Sequence, residues 1–500
     1  MEILFETKSM SAYREIFHQI KRVQVSMESV VPDTQDDIGR LLSVQPALFL
    51  KEKTATERGV YVCGEAIVSI LYINELENGV SSLQLSQNFT LEYEQSENTS
   101  DLLSQISLAV THSEAHILNP RKLSVTLEVM GELSAYLSGS IMTETVFPTT
   151  ERFPVHTKQD CVRASLVNAV CEKSFVLNEQ IPFSPGRPQP REILSQCLCF
   201  LVTGKQLIGS KILVKGRVNI SVCYLSDESG CPFMEEFSVP FSQLVDIGQE
   251  AMDGCVIRIE PTASWFSLID SLNGEKALDA EIHALIQIVS RREQAVSYLS
   301  DAYCNLYPMR LLTEPLSFDT ENEPALQTLN LDEQIELPED CMDVILIIPM
   351  LGNCSLSQGR ATAILNLDLL YRTESGTLSC IHRSIGAENA LETDGPRLLQ
   401  AMLTDSYFRP DGRQLSARAT VEMLIAENRC KDCIAVVGAE LNEDDPCEFS
   451  ALPALYAVRV EEESLWELAR TYHSSPEKIS ALNDVDGVLQ GRLLLIPKSE

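Results

Sequence analysis

The chain has 500 residues, a hydrophobic fraction of 44% and a charged fraction of 22%, proportions of folded globular protein rather than of disorder. Seventy-two acidic residues against 39 basic ones give a formal charge of -33, which repels nucleic acid and disfavours anionic lipid. The most apolar runs, such as residues 343–351, fall far short of the ~20 residues that span a bilayer, so no membrane insertion is expected.

In chain order, the first clear element is KRVQVSMESVVP at 21–32, which alternates apolar and polar residues and stops at proline, as a half-buried strand does. Similar segments recur as KSFVLNEQIPF at 173–183 and QTLNLDEQIELP at 327–338, placing Val30, Ile181 and Ile335 in equivalent positions. Behind the first copy, PDTQDDIGRLLSV at 32–44 is a candidate helix, and the third copy shortens that region.

A second block recurs as VYVCGEAIVSILYINELENG at 60–79, ILVKGRVNISVCYLSDESG at 212–230 and GRATAILNLDLLYRTESG at 359–376. Tyr72, Tyr224 and Tyr371 align, and Gly79, Gly230 and Gly376 follow them, which is the pattern of a strand, a tight turn and a returning strand. A third alternating block falls at 119–133, 274–288 and 411–425, most clearly matched by Arg121-Lys122-Leu123-Ser124 and Arg413-Gln414-Leu415-Ser416. The expected fold is mainly β, with three tandem sandwich-like repeats of ~150 residues. Their bounds are 10–160, 161–310 and, more divergent, 311–446.

After a linker at 446–455, the last unit (454–500) reads as βααβ. YAVRV at 456–460 alternates as a strand. Ser464 N-caps a helix with Glu467 three residues on, completing a capping box, and Leu465, Trp466, Leu468, Ala469 and Tyr472 supply its apolar positions. Ser475 caps a second helix, Pro476 takes its first position, Ile479 and Leu482 face inward, and Asn483 ends it. GRLLLIP at 491–497 closes the unit as a strand.

The three-block order, repeated three times, resembles the SPOCS domain of bacterial endospore proteins, and YLSDAYCNLY at 298–307 resembles the Asp-Ala-Tyr stretch that closes many such domains. The C-terminal unit resembles the LysM domain over its whole length, with Leu465-Trp466, Ile479, Asn483, Gly491 and Ile496-Pro497 at matching places. The combination is similar to the SipL-type spore morphogenetic proteins. That resemblance implies a non-catalytic scaffold of coat assembly in the mother-cell cytoplasm at the forespore surface. Its LysM module would bind a coat-basement morphogenetic ATPase or another spore-coat protein. The alternative that LysM implies is binding of N-acetylglucosamine chains of peptidoglycan or chitin. Relatives carry Gly-Asp-Thr (or Ser) before the Leu-Trp pair, whereas here the positions are Glu462-Glu463-Ser464. Losing glycine restricts that turn and adds negative charge where a glycan would approach. The candidate partner- or glycan-binding residues are Glu462, Glu463, Ser464, Leu465, Trp466 and Asn483.

No catalytic constellation is expected, and no cofactor. Phosphate-cradling glycine motifs are absent. His112 and His116 stand four apart without a third ligand, and Cys430-Lys-Asp-Cys433 is a C-x-x-C without a second pair. Cys197 and Cys199 read as strand residues, and His18, His156, His283, His382 and His473 are scattered. Fifteen cysteines in a long chain point to reduced thiols, and the N-terminal residues show no secretory pattern, so a cytoplasmic location is expected.

Overall fold

The computed structural model describes all residues except 1, 5, 77–78, 96–100, 147–154, 227–230, 249–253, 272–273, 320–323, 392–395, 428–429, 449–450, 484–489 and 499–500. Gly230, expected in the second hairpin turn, lies outside the described residues. The protein is mainly β, and every strand pair among the described residues is antiparallel.

The first third holds β1 (Glu2–Leu4), β2 (Glu6–Val30), β3 (Ile38–Thr56), β4 (Gly59–Asn74), β5 (Val80–Glu94), β6 (Leu102–Asn119) and β7 (Lys122–Val146). The second holds β8 (Val155–Pro182), β9 (Pro190–Ile208), β10 (Lys211–Ser226), β11 (Pro232–Asp246), β12 (Gly254–Asp270) and β13 (Lys276–Cys304). The last holds β14 (Met309–Asp319), β15 (Ala325–Glu336), β16 (Cys341–Ser357), β17 (Arg360–Thr373), β18 (Leu378–Ala390), β19 (Pro396–Asp411), β20 (Gln414–Glu427) and β21 (Cys430–Leu441). A small C-terminal module follows: β22 (Leu455–Arg459), α1 (Leu465–Thr471), α2 (Pro476–Asn483) and β23 (Leu493–Pro497). The expected limits at 160/161 and 310/311 fall inside β8 and β14.

One wiring recurs in the three thirds. Strand order β2-β7-β6 faces β3-β4-β5, β8-β13-β12 faces β9-β10-β11, and β15-β20-β19 faces β16-β17-β18, each facing pair enclosing its own apolar core, and the first two three-strand layers join through β2 and β8 into one six-stranded sheet. The aligned tyrosines sit on the middle strands β4, β10 and β17, all completely buried. In the first third the Tyr72 hydroxyl donates to the Asp36 carbonyl, which ties the middle strand to the loop before β3.

Two expectations fail here. The segment 32–44 is not a helix: turns lead into β3 at Ile38. Leu41 packs toward the core of its own third, while Leu42 is buried in a cluster shared with the other two. A strand apolar on both faces, bent by irregularities on either side of Leu41, imitates helical spacing. Val30 is also one residue out of register with Ile181 and Ile335. It is 62% exposed, and Val31 is the buried equivalent of Leu337. The Val31 and Leu337 amides donate to the carbonyls of Arg121 and Arg413, the pair aligned in the third block.

The strands β2–β7, β8–β13 and β14–β21 form long ribbons that bring the thirds together. Met10 and Ile141 of the first ribbon, Val162, Val296 and Tyr298 of the second, and Leu316, Phe318 and Ala435 of the last share one cluster. The β1 strand crosses over to pair with β21. A second shared core joins Leu42 and Leu71, Leu194 and Cys223, and Ile345 and Leu370, matching positions of the three thirds. Ion pairs cross the same interfaces. Glu132 of the first third meets Arg258 of the second and Arg397 of the last, each at 3.1 Å. Burial alone would raise the Glu132 carboxyl, but the His18 hydrogen bond and the two guanidiniums outweigh it and hold it at about 2.

Candidate partner-binding surface of the C-terminal module

Hydrophobic alternation sets β22 and β23 against the helices. Val458, Val460, Leu494 and Ile496 face inward with Leu468, Ala469 and Ile479. Ser464 N-caps α1 as expected: its hydroxyl accepts from the Glu467 amide, and the Glu467 carboxylate accepts from the Ser464 amide at 2.7 Å. That bond from the Ser464 amide is the main reason the Glu467 carboxyl sits below its usual range.

The turn from β22 into α1 borders a shallow groove lined by Arg459, Val460, Glu461, Glu462, Glu463, Glu467, Gln490 and Gly491. Glu463 folds back over this turn, its carboxylate accepting from the amides of Glu461 at 3.0 Å and Glu462 at 3.2 Å. Backbone amides, its own first among them, lower its pKa. The turn therefore satisfies its own donors with a carboxylate and presents negative charge outward.

The six candidate residues do not form one site. Glu462 and Glu463 line the groove, and Ser464 follows them as the cap of α1. Asn483 is a brace elsewhere: its side chain donates to the carbonyls of Ile479 and Leu495 and accepts from the Leu495 amide, each within 2.8 Å. Leu465 packs in the module core. Leu482, expected inside, is 50% exposed, because only Ile479 of α2 points squarely at the sheet.

Trp466 turns away from the groove, onto the second third. Its indole N–H donates to Asp301 at 2.8 Å, and its ring meets Tyr303 edge-on at 4.9 Å. Arg470 pairs with the same Asp301 carboxylate at 3.0 Å. Tyr303 is buried in the module core and donates to the Ser474 carbonyl, which also accepts from Asn305. The Asp-Ala-Tyr stretch is thus the seat on which the module docks. Asp301 and Tyr303 are the residues that sequence reasoning missed in this role. Their signal was the stretch itself, noted without a partner for its side chains.

The other singled-out residues stay apart. His112 and His116 lie exposed on strand β6, where each approaches Glu114. Cys430 and Cys433 lie on β21, one exposed and one buried, and Cys197 and Cys199 lie on β9. None of the fifteen cysteines is in a disulfide. Among the described residues no group of three or more His, Cys, Asp or Glu side chains is placed to hold a metal ion, and no helix is long and apolar enough to cross a membrane. No family model, no curated protein and no solved structure matches the chain.

Proposed function

We propose that this chain is a non-catalytic scaffold of endospore coat assembly, built from three SPOCS-type domains closed into one body and a LysM-type module that holds a coat-basement morphogenetic ATPase. It would act in the mother-cell cytoplasm at the forespore surface. The recurring strand order followed by a βααβ module supports the domain part of this reading. The Glu463 carboxylate on the amides of Glu461 and Glu462 carries the module's part. A sugar held by backbone contacts at this turn would have to displace that carboxylate and approach its neighbours' charge. A protein presenting lysine or arginine would instead gain charge-assisted hydrogen bonds there. The peptidoglycan or chitin reading has the open groove in its favour and those carboxylates against it.

Retention of the purified full chain on immobilised coat-basement ATPase tests the proposal. The wild type is expected to be held, and the Glu461→Lys/Glu462→Lys/Glu463→Lys variant to be lost by at least tenfold. Wild-type passage through the column would reject the ATPase as partner.

A further inference from the structure

Strand alternation decides what the module shows on the side away from its helices. Cross-strand pairing places Leu455 opposite Pro497, Ala457 opposite Leu495 and Arg459 opposite Leu493, so these side chains share the outer face of the two-stranded sheet. Such a face is ordinarily polar when it meets water. Here Leu493 is 67% exposed, Leu455 48% and Leu495 37%. The opposite face is filled by the module core, and the α1 side is occupied by Asp301 and Tyr303. The apolar outer face adjoins the acidic groove, since Arg459 both faces Leu493 and lines that groove with four glutamates.

We propose that the outer face of β22–β23 is the docking surface for a protein whose contact face has an apolar centre bordered by lysine and arginine. The inference rests on the reading that the module holds a protein, and it names where and by what chemistry. An apolar patch with one charged rim marks an interaction site, and the rim selects the partner's sign. Arg459 offsets one of the four carboxylates, so the border stays negative. A second copy of this chain is disfavoured, because symmetric docking would set glutamate turn beside glutamate turn on chains of charge -33. A glycan is disfavoured as well, since the face offers leucine rather than an aromatic ring to stack on.

Placing the photo-cross-linker p-benzoylphenylalanine at position 493 of the full chain, in the cells that make it, tests the surface. A control carries the cross-linker at the exposed Ile208 of β9. Position 493 is expected to give an adduct with one other protein, absent from the control. Its linked peptide should combine leucine, isoleucine or valine with lysine or arginine. The yield should fall at least fivefold in Leu495→Asp, and likewise in Leu455→Asp, with far-UV circular dichroism unchanged. Absence of an adduct, an adduct with a second copy or a glycan, a linked peptide without basic residues, or unchanged yield in both folded variants would overturn the proposal. An adduct with a basic protein other than the ATPase would keep this surface and remove the ATPase. Retention of the ATPase without an adduct at 493 would do the reverse.

Discussion

Asp301 holds two side chains of α1 at once, the Trp466 indole and the Arg470 guanidinium, on one carboxylate that is mostly sheltered from water. Removing it leaves a half-buried indole N–H without its acceptor and frees a cation, a loss of about 1–3 kcal/mol of docking by the usual cost of charged hydrogen bonds. Asp301→Ala should therefore loosen the module without unfolding it. Limited proteolysis within 442–454 is expected to accelerate at least fivefold, while circular dichroism keeps its wild-type shape. Equal cleavage rates would show that the docking rests on the Tyr303 and Asn305 contacts to Ser474 instead. The capping box of Ser464 and Glu467 was legible in the sequence because its two partners are three residues apart. The role of Trp466 was not, because the carboxylate it meets lies 165 positions away. Local pattern cannot say which distant acid a tryptophan will find.

At the level of the strand, the repeated wiring carries compensating packing. Gly64 on β4 stands directly across from Phe89 on β5, and Gly216 on β10 across from Phe241 on β11. A Cβ at Gly64 would come within 2.3 Å of the Phe89 ring, and one at Gly216 within 2.4 Å of Phe241. In the last third the same cross-strand place holds Ala363 and Ala387, two small residues with no ring to accommodate. Gly64→Ala should cost about 1–3 kcal/mol by overpacking. Adding Phe89→Ala should cost less than the sum of the two single losses, as coupled neighbours do. Chemical denaturation of the four-member cycle measures this, and strict additivity would contradict the pairing. The mainly β character was legible from such blocks, since period-2 alternation survives divergence. The β3 strand was not, because it packs Leu41, partly buried, and Leu42, fully buried, on opposite faces and so loses the alternation. The one-residue error at Val30 has a related cause: the residue that pairs as Ile181 and Ile335 do is the polar Ser29, so the apolar pattern alone points one place further on.

For the molecule as a whole, buried charge between the thirds sets how the body responds to pH. Glu132, held at about 2 against an ordinary 4.5, contributes stability above pH 4.5 that is lost as pH falls toward 2. Glu260 runs the other way. Burial lifts its carboxyl to about 8 despite Arg258, so the folded body keeps a proton that the unfolded chain releases. Its contribution is full below about 4.5 and is lost as pH rises toward 8. Thermal unfolding of the full chain should therefore peak on the mildly acidic side, and Glu260→Gln should flatten the fall between pH 5 and pH 8. An unchanged slope in the variant would place the pH dependence elsewhere. The same body carries the C-terminal module by its Asp301–Asn305 seat and leaves the glutamate turn and the leucine face of β22–β23 outward. On the proposed function this module holds a protein and not a sugar. One side-by-side sedimentation decides it: purified full chain against insoluble peptidoglycan and against beads bearing the coat-basement ATPase, at equal protein concentration. The chain is expected to pellet with the ATPase beads and to stay in solution with peptidoglycan. Pelleting with peptidoglycan, unaffected by Glu463→Lys and absent on the ATPase beads, would contradict it.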